Sequence, residues 1–139
     1  MIHFLLLALM SLDLASACAA TSGGGAATTA PVTCGGTCAA EDVTLAPGTA
    51  ARPGSFTPTS SLGTNSAGCM TLTVTCDAGV NRFAFMEFNT LTGGPEVNNG
   101  QTQVVNAVLM CINSQWAYVG TTKTTVVTEV SCLGANQAG

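Results

Sequence analysis

The residues of this chain with the richest chemistry are its seven cysteines, and what else the sequence supplies decides which chemistry they do. A thiol can serve as a nucleophile, hold a metal or close a disulfide. Nucleophilic sites of the Ser-His-Asp or Cys-His kind need a histidine. The one histidine, His3, sits at the N-terminal end. Zinc needs four ligands, and Cys34-x3-Cys38 has tolerable spacing for one half-site. In an oxidising compartment the same thiols pair with one another instead. Compartment is therefore the deciding question.

Residues 4–10, FLLLALM, form an unbroken apolar run that Leu12 and Leu14 extend, and Ala15-Ser16-Ala17 follows as a small-x-small cleavage pattern. The run falls short of the roughly 20 residues needed to span a bilayer, and no later stretch is long enough. The expectation is a secretory signal peptide over residues 1–17, a secreted and extracellular product, and no stable membrane span. Ala17-Cys18-Ala19 repeats the cleavage pattern, so cleavage after residue 19 would remove Cys18 and cleavage after residue 17 would keep it. His3 leaves in both cases. Cys34, Cys38, Cys69, Cys76, Cys111 and Cys132 remain, an even set that reads as three disulfides rather than a metal site. No cofactor or metal is expected.

Charge closes off further classes. Arg52, Arg82 and Lys123 are the only basic residues, which leaves no footprint for nucleic acid and none for anionic lipid. Among the acids, Glu41-Asp42 could touch Ca²⁺, but no neighbouring D-x-D-x-D-G pattern supplies the remaining oxygens. Glu87 between Met86 and Phe88 reads as a strand carboxylate reaching water. Neither it nor Asp77 has a second acid placed beside it, as a two-carboxylate hydrolase requires. The partners expected are an unknown extracellular protein or a glycan.

These residues need a frame. Residues 18–33 are Ala/Thr/Gly-rich and without period, a flexible linker whose threonines could carry O-glycans. Residues 39–68 are punctuated by Pro47-Gly48, Pro53-Gly54, Pro58 and Gly63 and read as loop, with one short strand near residues 43–45. After Cys69 the texture changes. Met70, Leu72, Val74 and Cys76 alternate with threonines, a half-buried strand. Residues 82–88, RFAFMEF, suit an interior strand or a covered edge. Residues 104–112 and 115–120 form a tight hairpin about Asn113-Ser114. Trp116 is expected to pack in the core against a disulfide, whereas Tyr118 could equally well face a ligand. A last strand places Val126, Thr128, Val130 and Cys132 on one face and Val127 on the other. The fold class is all-β: a small disulfide-stapled antiparallel β-sandwich or open barrel of about five to seven strands, ending in a short tail over residues 133–139.

The order Cys34-Gly-Gly-Thr-Cys38, a long loop, Gly68-Cys69, six residues to Cys76, then Val104 to Cys111, Gln115-Trp116 and Val130-Ser131-Cys132 resembles the nematode C6 domain, a family of extracellular domains without an assigned function. The likeness spans residues 34–132. Family members lacking the first cysteine tend also to lack the third, which implies a Cys34–Cys69 bridge. The other four cysteines allow three pairings. Those favoured are Cys76–Cys111, which would staple two apolar strands, and Cys38–Cys132, which would tie the ends of the domain. The function expected is a non-enzymatic extracellular structural or interaction module. The alternative is a secreted protease inhibitor presenting Arg52 from the Pro-rich loop 46–63, although a bond before Pro53 resists most proteases.

Overall fold

The computed structural model describes residues 33–90 and 92–137. The expected signal peptide, Cys18 and the linker up to residue 32 lie outside the described residues. Nine strands account for about half of the rest: β1 (Thr44–Leu45), β2 (Ser55–Phe56), β3 (Thr59–Thr64), β4 (Met70–Asp77), β5 (Arg82–Phe88), β6 (Val104–Ile112), β7 (Gln115–Val119), β8 (Thr124–Val126) and β9 (Glu129–Asn136). A single 3-10 turn at Ala40–Asp42 precedes them.

The strands form two sheets. The five-stranded sheet runs β3-β4-β6-β7-β8, antiparallel throughout. The four-stranded sheet is built around β9, which pairs antiparallel with β5 along one edge. Along the other it meets β1 in parallel and then β2 antiparallel. The sheets stack as a sandwich and do not close into a barrel.

Period-two alternation produces the core. Leu72, Val74 and Cys76 of β4 and Val105, Ala107, Leu109 and Cys111 of β6 point inward from one sheet. Ala84, Met86 and Phe88 of β5 and Val130 and Cys132 of β9 meet them from the other, and all are essentially inaccessible. At about 1.5–3 kcal/mol for each large apolar side chain removed from water, this layer is the main favourable contribution to folding. The hairpin between β6 and β7 turns at Asn113 and Ser114, both at positive φ (52° and 60°). Two successive residues of that kind make the turn whose twist matches the flanking strands.

Three expectations need correction. Residues 39–68 are less loop-like than their punctuation suggests. They hold β1, β2 and β3, and these short strands raise the count above five to seven. The last strand is not continuous. It breaks at Val127–Thr128, sending β8 into one sheet and β9 into the other, because Val127 turns into the core at 1% exposure. Asn89 secures the crossing: its side-chain oxygen accepts from the Thr128 amide (2.8 Å) and its amide donates to the Val126 carbonyl (2.7 Å).

The third correction concerns the cysteines. The bridges are Cys34–Cys69, Cys38–Cys111 and Cys76–Cys132, with Cα separations of 5.5, 5.9 and 5.6 Å. Cys76–Cys111 is ruled out by register. Cys76 faces Val105 across the β4–β6 ladder, whereas Met110 faces Thr71. That leaves Cys76 and Cys111 at opposite ends of the pair, roughly 20 Å apart at about 3.3 Å per residue. Cys76 instead crosses to Cys132 on β9 and staples the two sheets through the core. Cys38 joins β6 rather than β9, so residues 34–38 are pinned at both ends.

Candidate functional site

Trp116 is fully buried at 1% exposure. It lies opposite Cys111 in the β6–β7 ladder and hence beside the Cys38–Cys111 bridge. Its indole N–H donates to the Ala39 carbonyl at 2.7 Å, which satisfies the one polar group that burial would otherwise strand. Two residues along β7, Tyr118 is only half-buried. Its ring meets Phe88 of β5 at a centroid distance of 5.3 Å and a 47° tilt, within the range of favourable aromatic pairs. The sequence placed Tyr118 between core and surface, and it stands at the boundary.

Around this pair lies a shallow cleft lined by Phe88, Gly93, Gly94, Glu96, Tyr118 and Lys123, among others. Its volume, about 70 Å³, is well below the 300–1,000 Å³ or so typical of small-molecule sites. It can hold a side chain or the edge of a sugar ring. One acid and one base share its rim. Glu96 accepts from the Thr121 amide at 3.0 Å and from the Thr121 hydroxyl. Those bonds, the hydroxyl's foremost, hold its carboxyl below the usual range. Glu96 thereby ties the segment after β5 to the β7–β8 turn, where the Gly120 amide also donates to the Lys123 carbonyl (3.0 Å).

Among the described residues, the remaining acids are not gathered into a catalytic arrangement. Glu87 lies on the outer face of β5 and pairs with Arg52 at 2.6 Å, their side chains 25% and 40% exposed. The Ser131 hydroxyl approaches both. An ion pair this exposed contributes only about 0.2–1 kcal/mol, yet it fixes Arg52 against the sheet. Arg52 also sits in a tight turn, its amide donating to Thr49 and its carbonyl accepting from Ser55. It is therefore not a projecting bait residue. Asp77, at the far end of β4, accepts from the Gly79 amide (2.9 Å) and the Gln103 side chain (3.2 Å). Asp42 accepts from the Ala39 amide (2.7 Å), and Glu41 faces solvent. Among the described residues, no three of His, Cys, Asp and Glu converge as a metal site. All six described cysteines are consumed in disulfides.

Residues 53–132 match the C6 domain. The chain belongs to the C6 domain family. A relative from Caenorhabditis elegans, described as an uncharacterized protein, is 44% identical over 73 residues, 52% of this chain. That stretch is 28% of the relative's length, so the C6 domain here spans under a third of the protein it matches. No solved structure matches the chain. Among the described residues, no helix is long and apolar enough to cross a membrane.

Asn99, Asn89 and Glu96 make loop-spanning hydrogen bonds that sequence reasoning passed over. All three act through polar contacts spanning loops, and no periodic pattern marks them. The one available signal was Asn98-Asn99-Gly100, legible only as a turn.

Proposed function

We propose that this C6 domain is a secreted, non-enzymatic extracellular module that acts by holding a partner or by building extracellular structure. The observation that carries this reading is how the reactive side chains are spent. Three disulfides take the six described cysteines, and the carboxylates of Asp42, Asp77, Glu87 and Glu96 are each engaged in local bonds that brace loops and strands. Disulfide staples suit a domain that meets oxidising surroundings.

For recognition, the Tyr118–Phe88 cleft is the favoured contact point. It combines an aromatic floor, a carboxylate, an ammonium and several threonine hydroxyls in a hollow too small to enclose a metabolite. Aromatic faces with nearby donors and acceptors suit a protein loop or a glycan edge.

The test has two arms. The protein secreted by eukaryotic cells is sequenced from its N-terminus, and the expected start is Cys18 or Ala20. Retention in the cytosol with residues 1–17 intact would sink the extracellular reading. In the second arm, the secreted protein is screened on glycan and extracellular-protein arrays, and a hit is repeated with Tyr118→Ala. Binding that survives this change, in a variant with an unaltered near-UV spectrum, would move the contact elsewhere.

A further inference from the structure

β3 has six residues, all exposed, in the sequence TSSLGT. It pairs with β4 on one side, and among the described residues no hydrogen bond reaches its other side. The ladder shows which groups are left over. The Asn65 amide donates to the Cys69 carbonyl at 3.0 Å where the β3–β4 hairpin closes. Bonded and non-bonded pairs alternate along an antiparallel ladder. Thr59, Ser61 and Gly63 therefore direct their backbone groups at β4, and Ser60, Leu62 and Thr64 direct theirs away from the sheet. An edge of this kind is a template for another strand unless it is short, charged, bulged or interrupted by proline. β3 has no charge and no proline within its span; Pro58 stands just before it.

We infer that β3 is a self-association edge, and that the strand it takes is β3 of a second copy of this chain, antiparallel about a two-fold axis normal to the sheet. Two observations select a second copy over a foreign strand. Strand-adding domains draw affinity from the main chain and specificity from pockets beside the edge, and the cleft at Tyr118 and Phe88 does not include any β3 residue. The strand itself is also uncharged, so no charge on β3 opposes a second copy; the nearest charges are Glu41 and Asp42 of the 3-10 turn beside it, which disfavour an acidic peptide.

Symmetry then sets the register. A two-fold axis normal to the sheet puts one residue opposite itself. Centring on Leu62 pairs Leu62 with Leu62 and Ser60 with Thr64 of the second copy, which uses every outward amide and carbonyl in about six inter-strand bonds. Centring on Ser61 instead sets Thr64 against Pro58, which has no N–H to give. The Leu62 register therefore wins. It places two leucine side chains, each 54% exposed in the single copy, against each other at the axis. The five-stranded sheets join into one continuous ten-stranded sheet. A contact of one short strand buries less than the roughly 800 Å² per partner of a standard interface, so the dimer is weak.

This inference rests on sheet topology alone and is independent of the Tyr118 cleft, so it stands or falls separately from the proposed function. The test is sedimentation of the secreted, disulfide-bonded chain from about 1 μM to 1 mM, a span suited to a weak interface. Monomer at the low end and dimer at the high end are expected. Leu62→Lys should abolish the dimer by placing two ammonium groups at the axis, with near-UV signal and Tm unchanged. Leu62→Cys should form a reducible covalent dimer, because Cα atoms of a bonded antiparallel pair lie about 5.5 Å apart, within disulfide reach. Ser61→Cys, opposite Gly63 of the second copy, should not. A chain that stays monomeric at 1 mM overturns the inference. So does a dimer that Leu62→Lys leaves intact, or a monomer that captures a foreign extended peptide along β3.

Discussion

Along the free edge of β5, the Ala84, Met86 and Phe88 backbone groups all find partners in the segment that follows. The Ala84 amide donates to Thr102 and its carbonyl accepts from the Gly100 amide, while the Phe88 amide donates to Gly93. Between them the side chain of Asn99 stands in for a strand: its oxygen accepts from the Met86 amide (2.7 Å) and its amide donates to the Met86 carbonyl (3.1 Å). The two glycines nearby are needed for this closeness. A side chain at Gly94 would collide with the Met86 carbonyl, and Gly100 adopts φ +73° against the Phe85 ring. Among the described residues, β3 at the edge of the other sheet has the 3-10 turn Ala40–Asp42 nearby but no backbone hydrogen bond to its outward groups. One edge is thus closed by a fitted loop, and the other leaves its outward amides and carbonyls without such partners. Solubility alone would favour closing both, so the difference directs attention to what β3 does.

The comparison can be broken most severely at the staple that holds the two sheets together. Cys76→Ala with Cys132→Ala should cost about 2–5 kcal/mol, read as a large drop in Tm or a failure to secrete folded protein. Loss of the Cys38–Cys111 bridge, which ties down residues 34–38, should also lower Tm, because it likewise closes a long loop.

Next in size is the clasp. Asn99→Ala leaves the Met86 amide and carbonyl without partners, at a cost of about 1–3 kcal/mol for each such buried group. Hydrogen exchange at Met86 should accelerate well beyond that at β4 amides. Asn99→Asp keeps an acceptor for the Met86 amide but has no N–H for the Met86 carbonyl, so it should accelerate exchange less than Asn99→Ala. If exchange at Met86 is unchanged in both variants, the side chain is not what covers the edge.

A smaller effect should follow pH. The Glu96 carboxyl is held below its ordinary value of 4.5 in the folded chain by Thr121. A depressed folded value means this contribution is complete above the unfolded value and fades as pH falls through the folded one. As pH falls below 4.5 and through the lowered folded value, the wild type should lose the tie between the loop and the β7–β8 turn, visible as a shift of the Thr121 amide resonance. Glu96→Gln should remove that titration. Smallest of all, Leu62→Lys should change stability by no more than the ~0.5 kcal/mol usual for a surface site. A large destabilisation there would show that β3 is structurally committed rather than open.

The contrast between the edges also marks what the sequence could express. β4 announces itself by alternating apolar residues with threonines, whereas β6 and β7 are legible as an apolar, β-branched run and a short aromatic strand either side of the Asn113-Ser114 turn. β5 reads as a strand with aromatics on both faces, and the loop on its edge explains how Phe85 and Phe88 tolerate opposite sides. β3 is nearly silent. TSSLGT has one large apolar residue and no buried face, so no periodicity exists to be read; its strand character comes from the β4 backbone. The partners of Cys38, Cys76, Cys111 and Cys132 were illegible for a different reason. Pairing depends on which ends of β4 and β6 coincide and on which strand of the facing sheet lies over Cys76, and neither follows from spacing. Trp116 was placed correctly because a lone tryptophan beside a cysteine strand has few other homes. The Arg52–Glu87 pair, 35 residues apart, required the β2–β9–β5 topology to be visible at all.

That topology has a consequence for how the molecule is made. β9 is the last strand in chain order, yet it is the hub that β1, β2 and β5 all join. In the other sheet, β3, β4, β6 and β7 can zip together one after another as they leave the ribosome, each beside a strand already present. The β9 sheet has no such option: β1, β2 and β5 must wait, unpaired, through the synthesis of everything between them and residue 129. Long-range pairings of this kind are intrinsically slow. During that wait the Cys76 thiol has no Cys132 to meet, and it is exposed to pairing with whichever cysteine arrives first. The position of a single strand thus makes the Cys76–Cys132 bridge depend on exchange with whatever disulfides form before it.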